Sequence, residues 1–319
     1  MLSPLWHIGL ALLLDQLVGD PRWLPHPVRL IGALQVRLER YSRRYIGSAR
    51  GAGLLTVALT LLLTGLAGWL ILAGAGWIHP LGHDVAAVLL LYTCFAARDL
   101  ARHASAVQGA LARGDLALAR QRVAMIVGRD TAALDEAGVS RAGVESVAES
   151  LVDGVTAPLF YALIGGPLGA LLYKAVNTGD SMFGYKNEQY RRFGWAAARL
   201  DDLANLVPAR LTALLIPLAA LLLGLHAKAS LRILRRDRHC HASPNSGYPE
   251  AAVAGALGVQ LGGGASYFGT MVSKPTLGDA DQPITARHLR QAVHLMLVTS
   301  ALFVGLGTLV SGAVSVLVG

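Results

Sequence analysis

Long runs of apolar residues dominate the chain and predict helices that cross a membrane. Residues 52–78 contain no charged residue, and residues 85–97 form a shorter uncharged run after a turn that contains two histidines. A third strong run covers residues 292–318. A helix needs about 20 mostly apolar residues to cross a bilayer, so we expect three spans, the first two of them paired as a hairpin.

Three weaker apolar segments predict helices that are retained, broken or only partly inserted. Residues 2–18 carry Asp15 and lack the basic start and small-residue exit of a signal peptide. Residues 155–176 and 208–225 are interrupted by proline, and the first of them also by glycine. Broken helices at membrane depth usually line a cavity. The pattern therefore predicts an all-α polytopic integral membrane protein, a helical bundle with long helical cytoplasmic loops and broken or half-inserted helices, with residues 1–319 as one domain.

Composition supports a membrane protein and excludes several classes. The chain is 54% hydrophobic and 15% charged, whereas soluble domains carry about 25% charged residues. The net charge is +8, but no basic cluster is interleaved with aromatic residues, so nucleic-acid binding is not expected. Cys94 lies in an apolar run and Cys240 in a polar loop, which favours neither a disulfide nor a metal site.

Basic residues predict the orientation in the membrane. Seven arginines fall within residues 20–50 and seven within 98–154, whereas the turn between the first two spans has none. Because basic loops stay in the cytoplasm, we expect the turn outside and both arginine-rich segments inside. The rule does not decide whether the broken segments 155–176 and 208–225 cross, and we favour the alternative in which residues 98–290 stay inside.

Acidic residues concentrate in residues 98–210, which we predict to be the central polar catalytic region. Residues 111–127 predict an amphipathic helix, and after a break at residues 128–131 we expect another helix with Ser140 as its N-cap. On it, Glu145, Glu149 and Asp153 follow i, i+4, i+8 spacing, which places three carboxylates on one face. Such a face suits Mg²⁺ bridging to substrate phosphates; a solvated acidic stripe paired with Arg141 is an equal alternative.

Two further stretches carry polar residues beside apolar segments. Residues 173–186 place Lys174, Asn177 and Asp180 at intervals of three, which is typical of a functional site at a membrane edge, although Tyr173 and Lys174 could also be an interfacial anchor. Asp201 and Asp202 offer a second metal face with Asn205, but adjacent side chains diverge, so one of them could instead pair with Arg199.

Other motifs are weaker. Residues 243–247 predict a turn, and the glycine run 262–264 could cradle an anion but more simply indicates close helix packing. Residues 239–241 could bind metal, although we expect no role for them because adjacent side chains diverge. The sequence contains no GxxxxGK[ST] or GxGxxG nucleotide fingerprint.

Together these motifs carry a family likeness. The chain resembles the adenosylcobinamide-phosphate synthase family (CbiB/CobD) of cobalamin biosynthesis almost from end to end. The shared signatures are GDP and HPVR (19–21, 26–29), GRDT (128–131), RAGVESVAESLVDG (141–154), APLFY (157–161), YKAVNTGDSMFGYK (173–186), FGWAAARLDDLANLVPAR (193–210) and SPNSG (243–247).

The resemblance implies a multi-pass enzyme of the bacterial inner membrane whose active site faces the cytoplasm. It would form an amide between the propionate carboxylate of adenosylcobyric acid and the amine of aminopropanol or its O-phosphate, with ATP as co-substrate and Mg²⁺ as cofactor, through an acyl phosphate. Its partners would be these substrates, the lipid bilayer and other late cobalamin-pathway membrane enzymes, and no nucleic acid. Whether the amine substrate is phosphorylated stays open, as does the oligomeric state.

The chemistry of this reaction assigns hypothetical roles to the matching positions. Carboxylates would hold the metal: Glu145, Glu149, Asp153, Asp201 and Asp202. Catalytic roles would fall to His26, Arg129, Asp130, Lys174, Asp180 and Lys186. Substrate would contact Arg29, Asn177, Ser181, Tyr185, Arg199, Asn205, Arg210, Ser243 and Asn245. The alternatives are a membrane transporter for a corrinoid or organic anion, and a scaffold for other pathway enzymes; the chain lacks the repeat halves common in transporters.

Overall fold

The structure is a computed structural model that describes residues 2–21, 26–185, 187–267 and 269–318, with side chains to residue 312. The regular secondary structure of the described residues is helical apart from one short β-hairpin. The first eight helices are α1 (Pro4–Val18), α2 (Pro27–Tyr45), α3 (Ala49–Ile78), α4 (Pro80–Tyr92), α5 (Ala97–Ala112), α6 (Leu116–Val123), α7 (Glu136–Leu151) and, after a π-helical turn (Val152–Thr156), α8 (Ala157–Phe183). There follow α9 (Trp195–Ala204), α10 (Leu206–Leu222), α11 (Ala227–Asp237), α12 (Gly247–Leu257), β1 (Leu261–Tyr267), β2 (Thr270–Leu277) and α13 (Ala286–Val318).

The long apolar helices confirm a polytopic membrane fold. By length and composition, four helical stretches of the described residues could cross a bilayer: Ala49–Ile78, Pro80–Ala112, Glu136–Phe183 and Ala286–Gly312. The bent pair α9 and α10 would make a fifth. The predicted runs 52–78 and 292–318 are thus α3 and most of α13. The N-terminal run is α1, whose 15 residues are fewer than a full span needs.

The chain folds into two compact units. The first comprises residues 1–96, 153–205 and 311–319, and in it α3 packs against α2, α4 and α8, while α9 lies on α8. Three threonines at i, i+4 and i+8 of α3 (Thr56, Thr60 and Thr64) are buried, which fits the close helix approach that small side chains allow in membranes.

The second unit comprises residues 97–152 and 206–310. Its core is built largely of alanine, valine and leucine from α5, α7, α10, α12 and α13. Helix α12 is buried along most of its length. The hairpin β1–β2 pairs antiparallel beside it. The prediction that residues 1–319 form one membrane domain stays a prediction.

Helix α8 is kinked within the apolar segment 155–176, at a glycine and a proline that interrupt this segment. Gly166 has φ 59° and ψ −150°, a conformation that glycine adopts without a Cβ penalty. The next residue, Pro167, lacks an amide hydrogen to continue the helical ladder. The prediction of a broken helix at this position is confirmed.

The structure differs from the sequence predictions at three places. The amphipathic helix predicted over residues 111–127 is wrong: α5 ends at Ala112, Gly114 takes φ 72°, and Asp115 caps a separate α6. Ser140 is not an N-cap but lies inside α7, which Asp135 caps by accepting the Gly138 amide at 2.7 Å. The glycine run 262–264 does not pack helices, because it forms the bulged start of β1.

Candidate functional site

Polar side chains of the second unit converge on one cavity of about 250 Å³, which we call the acidic pocket. Helix α7 contributes Glu145 and Glu149 from consecutive turns of one face, as the four-residue spacing predicts. The remaining charged or polar lining residues come from the 128–131 loop, the loop before α12, α12 itself and the hairpin, and include Arg129, His241, Glu250, Tyr267 and Lys274. These side chains are all ionisable, which suits a polar ligand.

Glu145 is buried at the base of the acidic pocket and is fully engaged. One carboxylate oxygen accepts a hydrogen bond from the Arg129 guanidinium, and the other accepts one from the Gly262 amide at 2.7 Å. Glu145 therefore holds Arg129 and the start of β1 in place, and its role as a metal ligand stays a prediction.

Glu250 and His241 face each other in the acidic pocket, with 3.8 Å between Glu250 Oε1 and His241 Nε2. Burial, followed by the negative charges of Glu149 and Glu145, raises the pKa of Glu250 well above its usual value. Burial lowers the pKa of His241. Because His241 Nδ1 accepts the Ser243 amide at 3.0 Å, its neutral tautomer carries the proton on Nε2 and presents a donor to Glu250.

Glu149 lies at the exposed mouth of the pocket, where it accepts a hydrogen bond from the Ser246 hydroxyl at 3.2 Å. The Ser243 hydroxyl organises this loop by accepting the amides of residues 245 and 246, each at 3.2 Å. Asn245 in turn accepts from Arg210 at 3.2 Å, whose guanidinium lies over the Tyr248 ring. The SPNSG motif is thus a rigid loop beside Glu149.

The β-hairpin is fixed to the 128–131 loop through Asp130. Its carboxylate accepts the Ser266 hydroxyl at 2.6 Å and the Gly269 amide at 2.8 Å, and its own amide donates to the Ser266 carbonyl at 2.8 Å. On the same hairpin, Lys274 donates to the Tyr267 hydroxyl at 2.5 Å. Asp130 therefore holds β1 and the turn of the hairpin, whose second strand carries Lys274.

A second group of polar residues, here called the lysine cluster, lies in the first unit around Lys174 of α8. Lys174 Nζ donates to the Asp153 carbonyl at 3.3 Å, and the carboxylates of Asp153, Asp20 and Asp201 act on it electrostatically. The neighbouring Tyr173 hydroxyl donates to Asn205 at 2.9 Å. Acidic residues from three separate motifs therefore act on this one lysine.

Asp201 and Asp202 point to different partners, as their adjacent positions require. Asp201 accepts from Asn205 at 3.0 Å and from Asn177 at 3.4 Å, within the lysine cluster. Asp202 lies 3.6 Å from the exposed Arg199. The alternative in which one of the two carboxylates pairs with Arg199 is the one that the structure shows.

His26 is the N-cap of α2, where its Nδ1 accepts the Val28 amide at 3.3 Å. Its Nε2 lies 3.4 Å from Asp20. The GDP and HPVR motifs therefore meet at one helix start, and capping gives His26 a structural task in addition to the predicted catalytic one.

Comparison with known proteins identifies the family. A family model described as CobD/Cbib protein matches residues 8–296. A protein named "Cobalamin biosynthesis protein CobD" from Geobacter metallireducens is 55% identical over 286 residues, 90% of each chain. Proteins of the same name from Pelobacter propionicus and Leptospira interrogans are 48% and 46% identical over 92–93% of this chain and 91–94% of theirs.

The chain belongs to the CobD/Cbib family. The names of its relatives indicate a role in cobalamin biosynthesis and suggest an enzyme. No solved structure gives a significant match.

Many of the residues predicted to form the site fall into one of two groups, the acidic pocket or the lysine cluster. The i, i+4, i+8 carboxylates do not all lie on one α-helix, because Asp153 falls inside the π-helical turn Val152–Thr156 that follows α7. Glu145 and Glu149 line the acidic pocket, together with Arg129. Ser243 and Asn245 belong to the SPNSG loop, whose Ser246 contacts Glu149 and whose Asn245 accepts from Arg210. Five other predicted site residues belong to the lysine cluster: Asp153, Lys174, Asn177, Asp201 and Asn205.

Four other predicted residues lie near the ends of α2 and α8. Arg29 and Tyr185 are accessible to solvent, and the Ser181 hydroxyl donates to the Asn177 carbonyl of its own helix at 3.0 Å. Asp180 lies partly buried at the end of α8. Lys186 falls outside the described residues.

Glu250, Lys274 and His241 of the acidic pocket were not among the predicted site residues. A signal existed for two of them. Glu250 is the single acidic residue of the Ala- and Gly-rich segment 247–257, and Lys274 is one of four lysines in a chain whose other basic residues are arginine. For His241, the expectation of no role rested on the divergence of adjacent side chains. His241 lines the acidic pocket, whereas His239 and Cys240 are exposed and are not among its lining residues.

Proposed function

We propose that the protein is an ATP-dependent amide synthase that joins the propionate carboxylate of adenosylcobyric acid to aminopropanol or its O-phosphate. Supporting this proposal are its membership in the CobD/Cbib family and, above all, the acidic pocket, which combines carboxylates for a metal with two cations for anionic oxygens. An amide does not form from a carboxylate and an ammonium group without activation. The proposed route supplies it as an acyl phosphate.

The chemistry of the pocket fits Mg²⁺. A buried carboxylate close to two like charges is costly unless a cation neutralises it, and Glu250 is in this position beside Glu149 and Glu145. Since both oxygens of Glu145 are engaged, Glu149 and Glu250 are the residues that would hold the ion. When bound, Mg²⁺ would neutralise phosphate oxygens during transfer.

The protein's own side chains have separate tasks in the proposed reaction. Arg129, held by Glu145, and Lys274, held by Tyr267, provide charge for phosphate or carboxylate oxygens. Neutral His241 presents its Nε2 proton to Glu250 across 3.8 Å, so we assign it a positioning role. The cavity is smaller than the roughly 300–1,000 Å³ of pockets that enclose drug-sized ligands, which favours a phosphate-bearing group over the macrocycle.

The atoms of the proposed reaction balance in two steps. A propionate oxygen attacks the γ-phosphorus of ATP, and ADP leaves, which gives an acyl phosphate. The free amine then attacks the acyl carbon, inorganic phosphate leaves with the former carboxylate oxygen, and the amine nitrogen gives up a proton.

A metal-ligand variant tests the proposal. Glu149→Gln should reduce product formation at least about a hundredfold, because a lost ligand removes several kcal/mol of charge stabilisation. Purified protein in detergent would be incubated with adenosylcobyric acid, aminopropanol phosphate, ATP and Mg²⁺, and the corrinoid mass followed. Glu136→Gln removes an exposed carboxylate from the same helix and should keep wild-type activity. Full activity of Glu149→Gln would exclude the metal assignment.

The same assay separates the alternative functions. An unchanged corrinoid mass with folded wild-type protein would exclude the amide synthase and favour a transporter or scaffold. Uptake of labelled corrinoid into proteoliposomes would then distinguish those two.

A further inference from the structure

Two histidines and an aspartate meet in the first unit where α1 packs against α4. His7 lies in the first turns of α1, while His83 and Asp84 lie in the first turns of α4. His7 Nε2 is 2.9 Å and His83 Nδ1 is 3.9 Å from the same oxygen of Asp84. None of these residues takes part in the proposed amide synthesis.

The spacing of the three ligand atoms fits a metal ion. One ligand atom from each of His7, His83 and Asp84 can be chosen so that all lie within 4.8 Å of one another. Ligands about 2.0–2.1 Å from a tetrahedral Zn²⁺ are about 3.3 Å apart, a value between the two distances to Asp84. Side-chain movements that bring the three atoms to this separation would complete three ligand positions.

The contacts of the individual groups also indicate a missing ligand. His83 Nδ1 is buried, yet it has no hydrogen-bond partner within the described part of the chain. Buried polar atoms without a partner are uncommon and often mark the place of an ion or a water molecule. Asp84 is already oriented, because its Oδ1 accepts the Leu2 amide at 3.1 Å, the kind of outer contact that fixes a metal ligand.

We propose that His7, His83 and Asp84 bind one divalent transition-metal ion of the Zn²⁺ class, with a water molecule as fourth ligand. Two imidazoles and a carboxylate suit Zn²⁺ and not Mg²⁺, which prefers oxygen ligands. The ion clamps the start of α1 to the start of α4, next to the turn that joins α3 and α4. By the distribution of arginines, this turn is expected on the outer side of the membrane.

Metal titration of the full-length protein tests this site without an activity assay. Protein in detergent, purified with a histidine-free tag and stripped with EDTA, would be titrated with Zn²⁺ by calorimetry and with Co²⁺ by visible absorption. We expect one ion per chain, the ligand-field bands of four-coordinate Co²⁺, and a rise in melting temperature with Zn²⁺. A tenfold excess of Mg²⁺ should not displace the ion.

Three variants make the result specific. His83→Ala removes a partly exposed imidazole, and Asp84→Asn keeps a neutral acceptor for the Leu2 amide; each should weaken Zn²⁺ binding at least tenfold. His79→Asn removes another histidine of the same turn but keeps an acceptor for the Leu81 amide, which His79 now binds, and should bind like wild type. Absence of stoichiometric binding, or binding that survives either His83→Ala or Asp84→Asn, would overturn the proposal and leave a His7–Asp84 hydrogen bond alone.

Discussion

The charged residues of the acidic pocket and the lysine cluster differ in whether a group of opposite charge lies close enough to compensate them. Glu145 and Arg129 neutralise each other, whereas Glu250 lies buried beside two like charges. Acidic residues from three motifs act on Lys174. The sequence marked Lys174 through its position at the edge of an apolar segment, but burial and charge compensation depend on the tertiary fold, so spacing alone could not single out Glu250.

Outside the acidic pocket, we expect the replacement of Lys174 to be the most informative substitution. Lys174→Met keeps the length of the side chain but removes the ammonium group and should lower product formation about tenfold to a hundredfold, the value of a charge-assisted hydrogen bond. The measurement is the initial rate of corrinoid conversion, with thermal unfolding followed in parallel. Lys228→Met, at a position accessible to solvent, serves as control. A wild-type rate for Lys174→Met would remove the lysine cluster from the reaction.

Among the elements, the long apolar helices were predictable and the short polar ones were not. Residues 52–78 carry enough apolar length to determine α3 by themselves, and the glycine and proline at 166–167 signal the kink in α8. The hairpin β1–β2 was missed because its first strand is rich in glycine, which has low β-propensity; its position depends on contacts with Asp130, more than 130 residues away in sequence. Likewise, the spacing of the acidic residues gave no indication of the π-helical turn that contains Asp153.

The role of Asp130 can be tested on the hairpin itself. Asp130→Ala removes the acceptor for the Ser266 hydroxyl and the Gly269 amide, so backbone amides within residues 261–277 should exchange with solvent deuterium roughly tenfold faster. Hydrogen exchange measured by mass spectrometry gives this rate. Asp281→Ala, at an exposed site beyond the hairpin, should leave it unchanged. Equal exchange in both variants would contradict a positioning role for Asp130.

For the whole molecule, the distribution of arginines predicts the orientation in the membrane, and we propose that the acidic pocket opens to the cytoplasm. Cys240 is exposed beside His241 of this pocket, while Cys94 is buried. A membrane-impermeant maleimide should therefore label Cys240 in inverted vesicles but not in intact spheroplasts.

A second cysteine position controls for orientation. Trp77 is 92% exposed near the end of α3, so Trp77→Cys in a Cys240→Ser background should show the opposite pattern and react in spheroplasts. Labelling of Cys240 from outside would contradict a cytoplasmic pocket.

The most direct measurement of amide synthesis follows the oxygen atoms. Adenosylcobyric acid labelled with ¹⁸O in its propionate carboxylate would be converted with ATP, Mg²⁺ and aminopropanol phosphate, and the products analysed by mass spectrometry. We predict an amide corrinoid that retains one of the two labelled oxygens, with the other in inorganic phosphate and one ADP formed per amide. Unlabelled phosphate together with labelled AMP would contradict the acyl phosphate, and a corrinoid of unchanged mass would contradict amide synthesis altogether.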